Sequence, residues 1–195
     1  MSAARRMSIA DLVYSVRTGP EWRRRLLTPV ALVIVAGLLL ALVSGSLLTD
    51  RALGLPRLFP DGVGLAIGIL LFVAGLSLHL WCVLLFRKTS GGCGIGIPFN
   101  PPRALVVSGP YAWVRNPMVT ALFVWLSGLS LILHSISMLF VWTPVFLAGM
   151  VIELKYVEEP ELERSFGRPY TEYKARVPMF VPRRTVPHGE ERRPT

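Results

Sequence analysis

PVALVIVAGLLLALVSGSLL, residues 29–48, carries no charge, and its only polar side chains are Ser44 and Ser46. About 20 apolar residues in a helix match the thickness of a hydrocarbon core. A helix that is apolar all round has no face for water, so it belongs in lipid or deep inside protein. Three further apolar blocks follow, at 63–86, 117–133 and 136–156. The block at 117–133 is at the short limit for a crossing. Only His134-Ser135 separates it from the last block, so these two read as one antiparallel helical hairpin. The sequence therefore reads as an all-α integral membrane protein with about four transmembrane helices, the last two a tight hairpin.

Composition agrees. The 195 residues are 52% hydrophobic and 17% charged, with a mean hydropathy of +0.52. A soluble domain of this size needs more charge to cover its surface. The formal net charge of +9 would point to nucleic acid in a soluble protein. Here the basic residues flank apolar blocks, so anionic head groups and topology control are the simpler account, and nucleic acid is not an expected partner. Counted by segment, Lys and Arg alternate as 6, 2, 4, 0 and 9 along the chain. The basic N-terminal segment 1–28, the central loop and the C-terminal tail are thereby expected on the cytoplasmic side of a multi-pass protein. Six arginines and no apolar stretch before Pro29 argue against a secretory signal, so the first block is expected to remain as an anchor. Cys82 and Cys93 are too few for a disulfide framework and lack neighbouring ligand types, so both read as free thiols with no metal site.

Local signals refine the blocks. Pro117 suits a first helical position, and Pro144 predicts a kink in the last span. Gly64 and Gly68 have the small-xxx-small spacing of close helix packing. Residues 158–174 have the spacing of an amphipathic cytoplasmic helix on the membrane surface, broken near Gly167-Arg168-Pro169, with Leu162, Phe166, Tyr170 and Tyr173 on one face. Residues 184–195 have the composition of a disordered tail.

Several residues are candidates for chemistry. The glycines of 91–96 follow a membrane span and precede three prolines, which excludes a dinucleotide fingerprint. That loop is either a connector or a segment whose backbone wraps a ligand. Residues 106–118 run into the third span, whose N-terminus offers unpaired N–H groups suited to a carboxylate. Tyr111 and Trp113 supply π faces for a cation, or act as interfacial anchors. Glu153 sits near membrane depth with Arg115 as a plausible partner, and Glu158-Glu159 stand where hairpin and central loop meet. Glu161 and Glu163 read as a solvated first turn. His79, inside the second span, either binds a ligand or bonds across to another helix.

The stretch from 98 to 183 resembles the isoprenylcysteine carboxyl methyltransferase and phospholipid methyltransferase superfamily. The matching residues are Leu105-Val106, Gly109-Pro110-Tyr111, Arg115-Asn116-Pro117, Glu158-Glu159 with Leu162, Phe166-Gly167, Tyr170, Tyr173 and Arg176-Val177-Pro178. The resemblance implies a membrane methyltransferase that uses S-adenosylmethionine without a Rossmann domain. It places the cofactor at the cytoplasmic end of the hairpin and brings a lipid-like or small apolar acceptor from the bilayer. It implies cofactor contacts from Arg103, Ala104, Leu105, Val106, Tyr111, Asn116, Pro117, Met118, Val119, Glu158 and Glu159, with Arg115 and Glu159 at the reacting centre. The chain then divides into a two-helix anchor at 29–86 and a methyltransferase-like region at 87–183. Asn116 stands where the family often has His, and Val119-Thr120-Ala121 where it often has Tyr-x-Gly. Ile152 and Tyr156 replace a substrate Arg and an acid typical of the prenylcysteine enzymes, which turns the expectation away from a prenylcysteine acceptor. Two other readings share these features: a sterol-reductase-like enzyme using NADPH, and a membrane protein that keeps the fold without activity.

Overall fold

The computed structural model describes residues 21–57, 61–90 and 104–182, and every regular element in them is helical. Helix α1 spans Glu21–Leu53, α2 Asp61–Ser90 and α3 Pro117–Ile132, with a short 3-10 turn at Gly109–Ala112 before α3. Beyond the hairpin turn a continuous helical rod covers Met138–Phe166. It consists of a π turn at Met138–Trp142, α4 at Thr143–Glu153, a second π turn at Leu154–Glu158 and α5 at Glu159–Phe166. Helix α6, Arg168–Arg176, is the last of the described elements. The expectations for the glycine loop 91–96, Cys93, Arg103, most of the basic N-terminal segment and the tail 184–195 lie outside the described residues.

Three helical stretches are long and apolar enough to cross a membrane: Leu27–Leu53, Gly62–Thr89 and Met138–Phe166. Leu38 and Leu40 of α1 and Leu70 and Leu80 of α2 are exposed, a surface that is stable only in hydrocarbon. Helix α3 differs in kind. Its 16 residues reach about 24 Å, and it buries Ala121, Leu126, Gly128 and Leu131 against its neighbours. Its apolar character thus answers to protein more than to lipid.

Helices α2 and α3 approach backbone to backbone. A Cβ on Gly75 would stand 2.5 Å from the Trp125 nitrogen, and one on Gly128 would run into the Phe72 backbone. Gly68 meets Gly128 and Ile132 of the same chain, so the small-residue spacing serves internal packing. A second contact layer joins Leu42 of α1, Leu126 of α3 and Met138 of the rod.

The hairpin turn is built from short polar residues. His134 adopts φ +54, the left-handed conformation that ends a helix. The Ser135 N–H donates to the Ser130 carbonyl at 2.9 Å, and Ser135 Oγ accepts the Met138 N–H at 3.1 Å, capping the rod. Asp50 of α1 accepts the Ser137 N–H at 2.9 Å, and the Ser137 hydroxyl donates to the Ser46 carbonyl at 2.9 Å. Helix α1 is thereby tied to the tip.

A π turn precedes Pro144, where the sequence predicts a kink, and the second π turn likewise precedes a proline, Pro160. A proline ring collides with the carbonyl four residues back and has no N–H to give. In each π turn the bond is set one residue wider, from the Thr143 N–H to the Met138 carbonyl and from the Glu159 N–H to the Leu154 carbonyl. The amphipathic helix breaks where expected, at Gly167 with φ 59 and ψ −131, a backbone region open to glycine. Tyr170 and Tyr173 are buried, and Leu162 and Phe166 are half-buried beside them. Glu161 corrects the solvated reading, since only 2% of it is exposed. Its turn continues the rod and starts inside the bundle, so the acid is enclosed; Glu163 stays half-exposed.

Candidate active site

Before the 3-10 turn that leads to α3, residues 105–107 form no regular element, and their side chains divide between two surroundings. Val106 is buried with Cys82 of α2 and Tyr111, and Leu78, Leu85, Phe86 and Met118 close around them. Leu105 and Val107 face the other side and line an open groove of about 590 Å³ against Pro169, Tyr173 and Val177. Ala104 is half-buried. The candidate residues thus fall on two sides of one segment: Val106, Tyr111 and Met118 inward, Leu105 outward.

Tyr111 and Trp113, alike in the sequence, separate in space. Trp113 is 57% exposed and meets Trp81 edge to face at 6.2 Å, the position of an interfacial anchor. Tyr111 is 8% exposed, and the Tyr173 hydroxyl donates to its carbonyl at 2.7 Å. Burial, reinforced by Cys82 and Glu158, pushes the Tyr111 hydroxyl well above the ordinary phenol range. Burial also pushes Tyr173 up to about 12, partly offset by Arg115.

The ionic centre lies at the N-terminus of α3. Arg115 Nη1 stands 3.0 Å from Glu159 Oε1, with side-chain exposures of 12% and 9%. Lys174 of α6 reaches Glu159 Oε2 at 2.6 Å and Glu163 Oε1 at 2.9 Å. Hydrogen bonds first to Glu159 and then to Glu163 raise the Lys174 pKa. Arg115 therefore pairs with Glu159, where the sequence offers Glu153 as a plausible partner. Glu159 lies about 9 Å further along the rod, past the second π turn, where the rod reaches the start of α3.

Two of the N–H groups expected to be open at this helix end are taken. Those of Arg115 and Asn116 donate to the carbonyls of Pro178 and Met179 at 2.8 and 3.2 Å. Pro117 has none, so Met118 and Val119 keep the first-turn N–H groups that no carbonyl within α3 reaches. The Asn116 side chain makes no capping bond. Arg115 Nε, Arg115 Nη1 and Glu159 Oε1 are all buried without a well-oriented hydrogen bond among the described residues, so Arg115 and Glu159 meet as a charge pair.

Ile152 and Tyr156 are exposed on the rod. Lys174 was missed by sequence reasoning. Its separation from Glu159 and Glu163 is too long for contact along a single helix, and it is the turn at Gly167 that brings α6 back to α5. Its one signal was an amine on a helix rich in tyrosine.

These elements define an all-helical protein with membrane-spanning helices and a charged, partly enclosed site at one end of its hairpin. The model of the phospholipid methyltransferase family matches residues 63–169, and the chain belongs to that family of membrane methyltransferases. The match begins with the second span, so α2 is part of the family region together with the hairpin and α5. No curated protein and no solved structure matches the chain.

Proposed function

We propose that this chain transfers a methyl group from S-adenosylmethionine to a small apolar or lipid-like acceptor, at the cytoplasmic mouth of the α3–rod hairpin. The observation that carries the reading is the unspent buried Nε of Arg115, whose Nη1 is held by Glu159 beside the first turn of α3. A guanidinium so held presents a donor to a carboxylate, and the Met118 and Val119 N–H groups lie in the same turn. The half-buried Glu158, near Tyr111, supplies a negative charge for a cationic ligand. These groups fit a ligand that carries a carboxylate, an amine and a sulfonium. When bound, that ligand supplies an activated methyl group.

The protein's contribution is alignment and the exclusion of water, since such a transfer depends on orientation. Arg115, Asn116, Met118 and Val119 would hold the carboxylate end, while Pro117 and Val106 would shape one wall. Glu158 and Glu159 would set the charge. The acceptor enters from the bilayer and, with Ile152 and Tyr156 in place of an arginine and an acid, is not a prenylcysteine. The basic segments at both termini face the cytoplasm in this reading.

Binding decides it. Purified protein in detergent is titrated with S-adenosylmethionine, S-adenosylhomocysteine and NADPH. Saturable binding of the first two alone is expected, with affinity reduced at least tenfold by Tyr111→Ala. Binding of NADPH alone would replace the reading with a reductase, and binding of none would leave a fold without this activity.

A further inference from the structure

His79 has no part in the site described above. It lies in α2, one turn before Cys82, on the side turned to α3, where its ring approaches the Met118 backbone. Its Nδ1 is buried without a hydrogen-bond partner among the described residues. An open nitrogen in an apolar helix pair is a cost that leucine at the same place would not carry. Its surroundings point to a ligand. Leu78 beside it and Met118 across from it both pack on the Cys82–Val106–Tyr111 cluster. The imidazole therefore borders the first turn of α3 from the α2 side, while Arg115 and Glu159 close that turn from the side of α5. Leu76 and Leu80, its neighbours along α2, are exposed, so the face of α2 beside His79 is open to the surroundings of the helix.

We infer that His79 is a catalytic base toward the methyl acceptor, with Nδ1 taking the proton of an attacking amine nitrogen or hydroxyl oxygen. The inference rests on the methyl-transfer reading. The acceptor's lone pair forms the bond to the methyl carbon, and the methyl–sulfur bond breaks with its electron pair left on sulfur, which becomes neutral. The acceptor's proton passes to Nδ1 and leaves to water at the mouth. The acceptor is accordingly one whose attacking atom bears a proton, which excludes a carboxylate.

The test compares the full chain with His79→Ala and His79→Asn in lipid nanodiscs. Asparagine keeps a hydrogen-bonding group near the Nδ1 position but is no base. Three measurements are made: binding of S-adenosylhomocysteine, transfer of labelled methyl into a native lipid extract, and 15N spectra of histidine-labelled protein with dodecylamine and no methyl donor. Both variants are expected to bind S-adenosylhomocysteine within twofold of the parent and to lose about 100-fold in kcat, the scale of a proton-transfer contribution. The His79 Nδ1 resonance, assigned by its absence from the asparagine variant, is expected to shift with the amine. Transfer by either variant within threefold of the parent, an unmoved resonance, or loss of S-adenosylhomocysteine binding in parallel with transfer would overturn the inference. A parent that binds no S-adenosylhomocysteine would instead overturn the methyl-transfer reading beneath it.

Discussion

At the tip of the hairpin, Asp50, Ser135 and Ser137 engage one another and the backbone around them; at the mouth, Arg115 keeps a buried nitrogen unpartnered among the described residues. Both ends fasten distant parts of the chain. The tip does so with neutral hydroxyls and one carboxylate that closes off the first turn of the rod, as a helix cap does. The mouth does so with two cations on Glu159 and with backbone bonds from 115–116 to 178–179. The tip also leaves an open atom, since Asp50 Oδ2 has no hydrogen-bond partner among the described residues; what sets the mouth apart is that its open atoms belong to a buried ion pair beside a helix N-terminus.

The widest separation between the two ends is expected from Glu159→Ala. Removing one member of a buried ion pair costs about 3–5 kcal/mol, because Arg115 is left enclosed without its carboxylate. Affinity for S-adenosylhomocysteine, measured by titration calorimetry, should fall at least tenfold. Unchanged affinity would mean the mouth is only a fastening, like the tip. Asp50→Ala should be smaller and different in kind. It deprives the Ser137 N–H of its acceptor, a loss of about 1–3 kcal/mol, and lowers the thermal midpoint in detergent. Ligand affinity should stay within twofold, and a parallel fall would show that the two ends are coupled through α3.

Tyr173→Phe should have the smallest effect, about 1 kcal/mol, since it removes one hydroxyl bond to the Tyr111 carbonyl. It carries a pH signature. The folded phenol titrates near 12 against an ordinary 10.0, so the unfolded chain releases that proton first as pH rises. The stability from this group is complete below pH 10, declines above it and is gone past 12. Thermal midpoints taken across that range should fall more steeply for the parent than for the phenylalanine variant. Parallel curves would show that the buried hydroxyl does not control the docking of α6.

Much of this was legible in the residues themselves. The all-helical membrane architecture followed from uncharged blocks of bilayer length, and the hairpin followed from the brevity of His134-Ser135. The break at Gly167 was visible because a glycine followed by Arg168-Pro169 interrupts an otherwise periodic face. The meeting of Arg115 with Glu159 was half visible. Both residues stand out, but the sequence offers Glu153 as a plausible partner for Arg115, since a linear reading does not show how far along the rod the start of α3 lies. Glu161 was misjudged for a related reason, because nothing local says that a helix continues a rod instead of starting on a surface.

Composition and short-range periodicity carry the membrane architecture and the hairpin. Hydrophobic length and charge placement are local properties, and the bilayer reads them one segment at a time. Only the tertiary structure decided that Tyr111 is enclosed while Trp113 is exposed, that Lys174 joins Glu159, and that Asp50 caps a helix begun 87 residues later. Each of these depends on which face of one helix meets which face of another. That is set by backbone contacts such as Gly75 against Trp125, and no single segment carries it.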